Sequence, residues 1–263
     1  MWKKQGCLRI TTSNGLTEMN KFGANIGIHR SLDLIALASR VDTLMLHAFD
    51  APFNQGLADG QLGIALVLHH YALLMSDQEV HDFATYLTDY VISRAAMLPR
   101  LDLENGLMGL GWGLEYLVQN GMADCNTADI CEEIDSYLLT VSPLTLCQKQ
   151  DFKGLCGMLN YLMVHYRNMP NALQQRFEAW FPDILDELHR FCRDSNDSLG
   201  QIRYLCERLE QLKMTGAKHT EVPELSRFIH PSHVASGYGL RSGVAGKVEM
   251  ALKQVLESPS ASH

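Results

Sequence analysis

The sequence predicts an all-α protein assembled from helical hairpins, and three observations predict it. Proline is scarce, at 8 of 263 residues. Apolar residues recur at helical spacing through most of the chain. Most tellingly, a Gly-x-x-Gly unit followed by an apolar helical run keeps returning. It stands as Gly60-Gln-Leu-Gly63 before "IALVLHHY", Gly106-Leu-Met-Gly109 before "LGWGLEYL", Gly154-Leu-Cys-Gly157 before "MLNYLMVHY" and Gly243-Val-Ala-Gly246 before "KVEMALKQV". A worn copy, Asp197-Ser-Leu-Gly200 before "QIRYLCERL", lies between the third and the last. The five starts fall at 60, 106, 154, 197 and 243, a near-constant period. Periods of this size mark stacked supersecondary units.

The elements follow in order. Residues 1–29, with "CLRITTSNG", lack helical periodicity and read as an irregular arm, either a short strand and turn or a disordered segment. A helix is expected near 30–48. Each glycine helix is then followed by a turn and a second amphipathic helix, at about 78–97, 127–141 and 171–192. The corresponding stretch of the fourth unit, "TEVPELSRFIHPSHVASG", supplies at most a short helix. One domain is expected over 30–257, with "ESPSASH" ending in a frayed tail over 258–263. Hairpins of this kind stack side by side, into an open solenoid or a closed ring.

The glycines have a packing explanation. Glycine in a helix interior costs about 1 kcal/mol relative to alanine, so its repeated use needs a reason. Residues three apart share a helix face, and without side chains there the backbone of a neighbouring helix can approach closely. Gly56-Leu57 and Gly239-Leu240 fit tight turns leading into the first and fifth glycine helices.

Charge and composition exclude several classes. A formal net charge of −8 argues against a nucleic-acid binder, which presents a basic face. No run of 18 apolar residues is present, so no membrane insertion is expected. The start has two lysines but no apolar core of a secretion signal. The 7 cysteines are irregularly spaced and form no Cys-x-x-Cys pair, which points to reduced thiols in a cytoplasm. Cys156, Cys192 and Cys206 lie in apolar helical patterns and read as buried structural residues.

"GLADGQLGIALVL", "YGLRSGVAGKVEMAL" and "ENGLMGLGWGLEYLVQNGM" resemble the repeats of the lanthionine synthetase C-like (LanC-like) family, in its bacterial, Bacteroidetes-type form. The resemblance covers about residues 50–256. It implies an α/α toroid, with inner helices ringed by outer ones. It also implies maturation of a ribosomally made peptide, in which cysteine thiols add to dehydrated serine or threonine at a zinc ion held by two cysteines and a histidine. The family's adjacent Cys-His precedes a repeat glycine. The corresponding pairs here are Ala58-Asp59, Glu104-Asn105, Phe152-Lys153, Ser195-Asn196 and Arg241-Ser242. None is Cys-His, and the family's "WCYG"-like stretch is missing. The family toroid has seven repeats, against five here.

The functional expectation is therefore a LanC-like protein that binds a peptide or a partner enzyme without zinc chemistry, with no cofactor expected. The residues placed on the ligand-binding rim are Asp59, Asn105, Trp112, Lys153, Arg241 and Ser242. Trp112 can instead be core, as aromatics at helical spacing usually are. The alternative is a helical-barrel enzyme: a thioether cyclase with a rearranged metal site, or a carbohydrate-active enzyme using rim carboxylates. For the cyclase, His230 and His233 are the candidate zinc ligands, because zinc takes N and S donors. For the sugar enzyme, Asp59 and Glu104 are the candidates, because glycoside chemistry needs two facing carboxylates. Asp59, Glu104 and Asp151 equally suit helix starts, where an acidic side chain caps free N–H groups. Five hairpins forming an open arc would leave an apolar edge, so a homodimer or a partner closing the gap is also expected.

Overall fold

A computed structural model describes residues 28–50, 55–95, 98, 101–149, 151–194 and 238–257, except Ser242, together with 206–207, 209–210 and 225. Ten helices are described and, among these residues, no strand: α1 (Ile28–His47), α2 (Gln61–Met75), α3 (Gln78–Ser93), α4 (Leu107–Gln119), α5 (Thr127–Ile130), α6 (Glu132–Leu138), α7 (Pro143–Gln148), α8 (Phe152–His165), α9 (Asn171–Asp194) and α10 (Val244–Glu257). The all-α class is thus as the sequence predicts. None of the helices is long and apolar enough to cross a membrane. The arm over 1–27, the start of the worn fourth repeat and the tail lie outside the described residues.

The helices are of two kinds. In α1 the buried residues are Leu37, Val41 and Leu44, and in α3 Val80, Ala84, Leu87 and Val91. These steps of three and four make one apolar stripe, as a helix facing a core on one side requires. In α9, Leu173, Phe177, Phe181, Ile184 and Leu188 continue the same rule. The glycine helices differ. Ten consecutive residues of α2, Leu62–Tyr71, are buried except for His70. In α4 residues 108–117 are buried throughout, and in α8 residues 157–165. Helices enclosed all round are core helices, so α2, α4 and α8 are core helices over these stretches, whereas α10, the last glycine helix, keeps Lys247, Met250 and Gln254 exposed.

Local signals set the boundaries. Asp77 caps α3, its side chain accepting from Glu79 N and Val80 N, which satisfies two otherwise orphaned donors. Ser76 ends α2 in the left-handed region at φ 55°, and Gly121 turns the chain after α4 at φ 68°. The second hairpin departs from expectation. Its outer helix, predicted as one piece over 127–141, breaks at Cys131 into α5 and α6, and α7 follows it with Pro143 in its first turn, where a proline costs no hydrogen bond.

The described residues cluster into two compact units. One, unit A, holds α1, α2, α3 and α10, with residues 117–125. The other, unit B, holds most of α4 and the helices from α5 to α9. In unit A, α2 packs against α3, and α10 packs against both α1 and α2. The first and last glycine helices are therefore neighbours. In unit B, α7 packs against α8 and α9.

Candidate functional site

In unit A, the turns that introduce α2 and α10 lie against each other. Arg241 N donates to Ala58 O at 2.8 Å. Gly239 sits so close to the first turn that a Cβ there would lie 2.7 Å from Asp59 Cα. Gly63 presses on the same place: its Cβ would lie 2.1 Å from Leu57 O and 3.0 Å from Leu240 Cβ. The glycine pattern thus lets helix and turn backbones touch. One consequence is that Asp59 and Arg241 come together, with Arg241 Nη1 at 3.7 Å from Asp59 Oδ2. Their side chains keep 40% and 29% of their exposure, so the pair contributes at most about 1 kcal/mol. Ser242, His230 and His233 lie outside the described residues.

Unit B repeats the arrangement with different side chains. Gly157 lies against the turn before α4, where a Cβ would meet Leu101 O at 2.0 Å and Leu103 N at 2.7 Å. In that turn Asp102 Oδ1 accepts from Asn105 N at 2.7 Å, and Glu104 and Asn105 are half-buried. Asp151 caps α8 by accepting from Gly154 N at 3.0 Å, and Lys153 is exposed on the first turn. Of the three acidic residues expected at helix starts, Asp151 is a cap. Asp59 pairs with Arg241 instead, and Asp102 serves the turn in which Glu104 stands. Trp112 is fully buried and stacks on Tyr116 at 5.3 Å. It belongs to the core and not to the rim, because α4 is enclosed on every face at that level.

Sequence reasoning missed the most concentrated polar chemistry, which is buried in unit B. His165, the last residue of α8, has Nδ1 2.5 Å from Glu115 Oε1 and Nε2 3.1 Å from Asp135 Oδ2. Tyr161 O–H donates to Asp135 Oδ1 at 2.7 Å, and the Tyr161 ring stacks on His165 at 5.0 Å. Asn168 Nδ2 donates to both Glu115 oxygens, at 3.0 and 3.2 Å, and to Thr127 Oγ1 at 2.8 Å. Gly111 makes room for the tyrosine, since a Cβ there would lie 2.3 Å from its ring. The signal was available: Glu115 and His165 are lone ionisable residues inside apolar runs, and such residues stay buried only with partners. Burial opposes the charge on His165, but the hydrogen bonds and charges of Asp135 and Glu115 outweigh it and hold its pKa near 9. Burial, Cys131 and Asp135 together push the Tyr161 phenol well above its usual range.

Unit A has two adjacent histidines with opposite surroundings. His70 Nδ1 meets the buried Glu249 carboxylate at 2.9 Å, joining α2 to α10. His69 is buried beside Thr88 Oγ1 at 3.2 Å and edge-on to His81. Desolvation, reinforced by His81 and His70, lowers its pKa to about 3. Among the described residues, no three His, Cys, Asp or Glu side chains are grouped to hold a metal ion. In the His165 cluster each ring nitrogen faces a carboxylate oxygen. Comparison with protein-family models, with curated proteins and with solved structures gave no match.

Proposed function

We propose that the chain is a LanC-like α/α toroid that binds a peptide or a partner enzyme during maturation of a modified peptide, without performing the family's cyclisation. The observation that carries this reading is the Asp59–Arg241 pair. Both residues occupy positions where the resemblance would place members of a Cys-His zinc pair. A guanidinium has no lone pair to give a metal and stays charged. At 3.7 Å from the Asp59 carboxylate, it competes with a dication for that carboxylate. What the two turns offer instead is a cation and an anion on a rigid backbone platform, suited to the polar groups of a peptide. The packing of α10 on α2, with the backbone bond between their leading turns, supports a ring in which first and last repeats are neighbours.

Cyclisation adds a thiol across a double bond, so it consumes a thiol and leaves mass unchanged. The test is therefore a thiol count. A synthetic peptide carrying one dehydroalanine and one cysteine is incubated with the protein and zinc, then alkylated. Thiol loss is expected to match that in buffer alone. Protein-dependent loss of the thiol overturns the non-catalytic reading.

A further inference from the structure

The Glu115–His165–Asp135 cluster has no part in the proposed binding role, and its geometry fixes its chemistry. Both imidazole nitrogens face carboxylate oxygens, at 2.5 and 3.1 Å. An ionised carboxylate only accepts hydrogen bonds, and a neutral imidazole has a single N–H to donate. With both carboxyls ionised, a neutral His165 would thus set a nitrogen lone pair against a carboxylate oxygen, in a place where His165 and Glu115 have 0% side-chain exposure and Asp135 has 2%. Water cannot relieve that contact. An imidazolium satisfies both oxygens at once.

The neighbouring groups favour the same state. Glu115 of α4 takes further hydrogen bonds from Asn168, and Asp135 of α6 takes one from Tyr161. Thr127, from the start of α5, engages Asn168. Cys131, between α5 and α6, adjoins the Tyr161 hydroxyl. Each of these partners donates to the carboxylates or is neutral, and His165 is the group among them that can carry a positive charge. Without its proton, two buried carboxylates would be left on either side of a neutral ring, and buried like charges are costly.

We propose that His165 is a proton-held latch: its imidazolium ties α4, α6 and α8 together, and release of that one proton loosens unit B. The device is regulatory in form, since one titration acts on three helices. The sign follows from linkage. The folded pKa, near 9, lies above the unfolded value of about 6.5. The stabilisation is fully present below pH 6.5 and is lost as pH rises through 9.

Nitrogen NMR of the full chain labelled at histidine tests the latch directly. His165 is expected to carry a proton on both ring nitrogens at pH 7.5 and to titrate near pH 9. A singly protonated ring at pH 7.5 overturns the proposal. Urea unfolding, followed by the fluorescence of Trp112 and Trp180, reads the consequence in unit B. Between about pH 7 and 9 the folding constant of the wild type should fall by up to about tenfold per pH unit more than that of Glu115→Gln. Equal slopes overturn the latch. If Glu115→Gln does not fold, Tyr161→Phe removes one donor to Asp135 without removing a charge. It should then move the His165 midpoint upward, because Asp135 leans more on the imidazolium, and an unmoved midpoint overturns the coupling.

Discussion

Replacing Gly157 by alanine should destabilise unit B by about 2 kcal/mol. The added Cβ would lie 2.0 Å from Leu101 O, 2.7 Å from Leu103 N and 2.8 Å from Asp102 C. All three atoms are backbone, so no side chain can swing away. Ordinary contact requires helix and turn to separate by more than an ångström. Inserting one carbon into a packed interior costs about 1–3 kcal/mol, and an overlap this deep with main-chain atoms belongs at the upper end. Alanine returns about 1 kcal/mol of helix propensity, which leaves the net loss near 2 kcal/mol, or about thirty-fold in the folding constant. Urea unfolding read by the fluorescence of Trp112 and Trp180, both in unit B, measures it. A neutral or stabilising result would refute the reasoning, because it would mean that the turn over 101–103 does not rest on α8. The functional interest is that this same turn presents Glu104 and Asn105.

Two further outcomes follow from the same contacts. Gly154→Ala should cost less than Gly157→Ala in the same assay, since the atoms nearest its Cβ belong to the Asp151 side chain, the first at 2.5 Å. That carboxylate can rotate away, at the loss of a cap worth about 1 kcal/mol. His69 should make the protein acid-labile. Its folded pKa of about 3 lies below the unfolded value of about 6.5, so its stabilising neutral state is present above pH 6.5 and is lost as pH falls towards 3. His69→Gln should flatten the fall in stability between pH 6 and 4, as measured by urea midpoints, and an unchanged slope would contradict the burial of a neutral imidazole.

The helices were legible because their signals are local. Period, capping residue and glycine spacing all sit within one turn of the element they describe, so the outer helix expected near 78–97 is found as Gln78–Ser93, and that near 171–192 as Asn171–Asp194. The glycines were legible as sites of close approach, but spacing does not say what approaches. Gly63 and Gly157 receive turn carbonyls, of Leu57 and Leu101, not the backbone of a neighbouring helix. The rim was legible only as a set of positions. Asp59 and Arg241 stand far apart in sequence and meet because two turns bond to each other. The His165 cluster was the hardest to foresee. Glu115 lies 50 residues before His165, and Asp135 lies 30 before it. Each looks like an isolated interruption of an apolar run until packing brings them into one place. Trp112 shows the converse: its position suggests the rim, yet it is fully buried, and at Gly111 beside it the Tyr161 ring closes on α4.

The central proposal is that the chain is a LanC-like protein working without zinc chemistry, and metal content tests it most directly. The full chain, purified without a histidine tag and dialysed against buffer containing trace zinc, is assayed by elemental analysis. The account predicts far less than one zinc per chain. A stoichiometric zinc, retained on further dialysis and lost on substituting His230 and His233, would contradict it and return the chain to the enzymes.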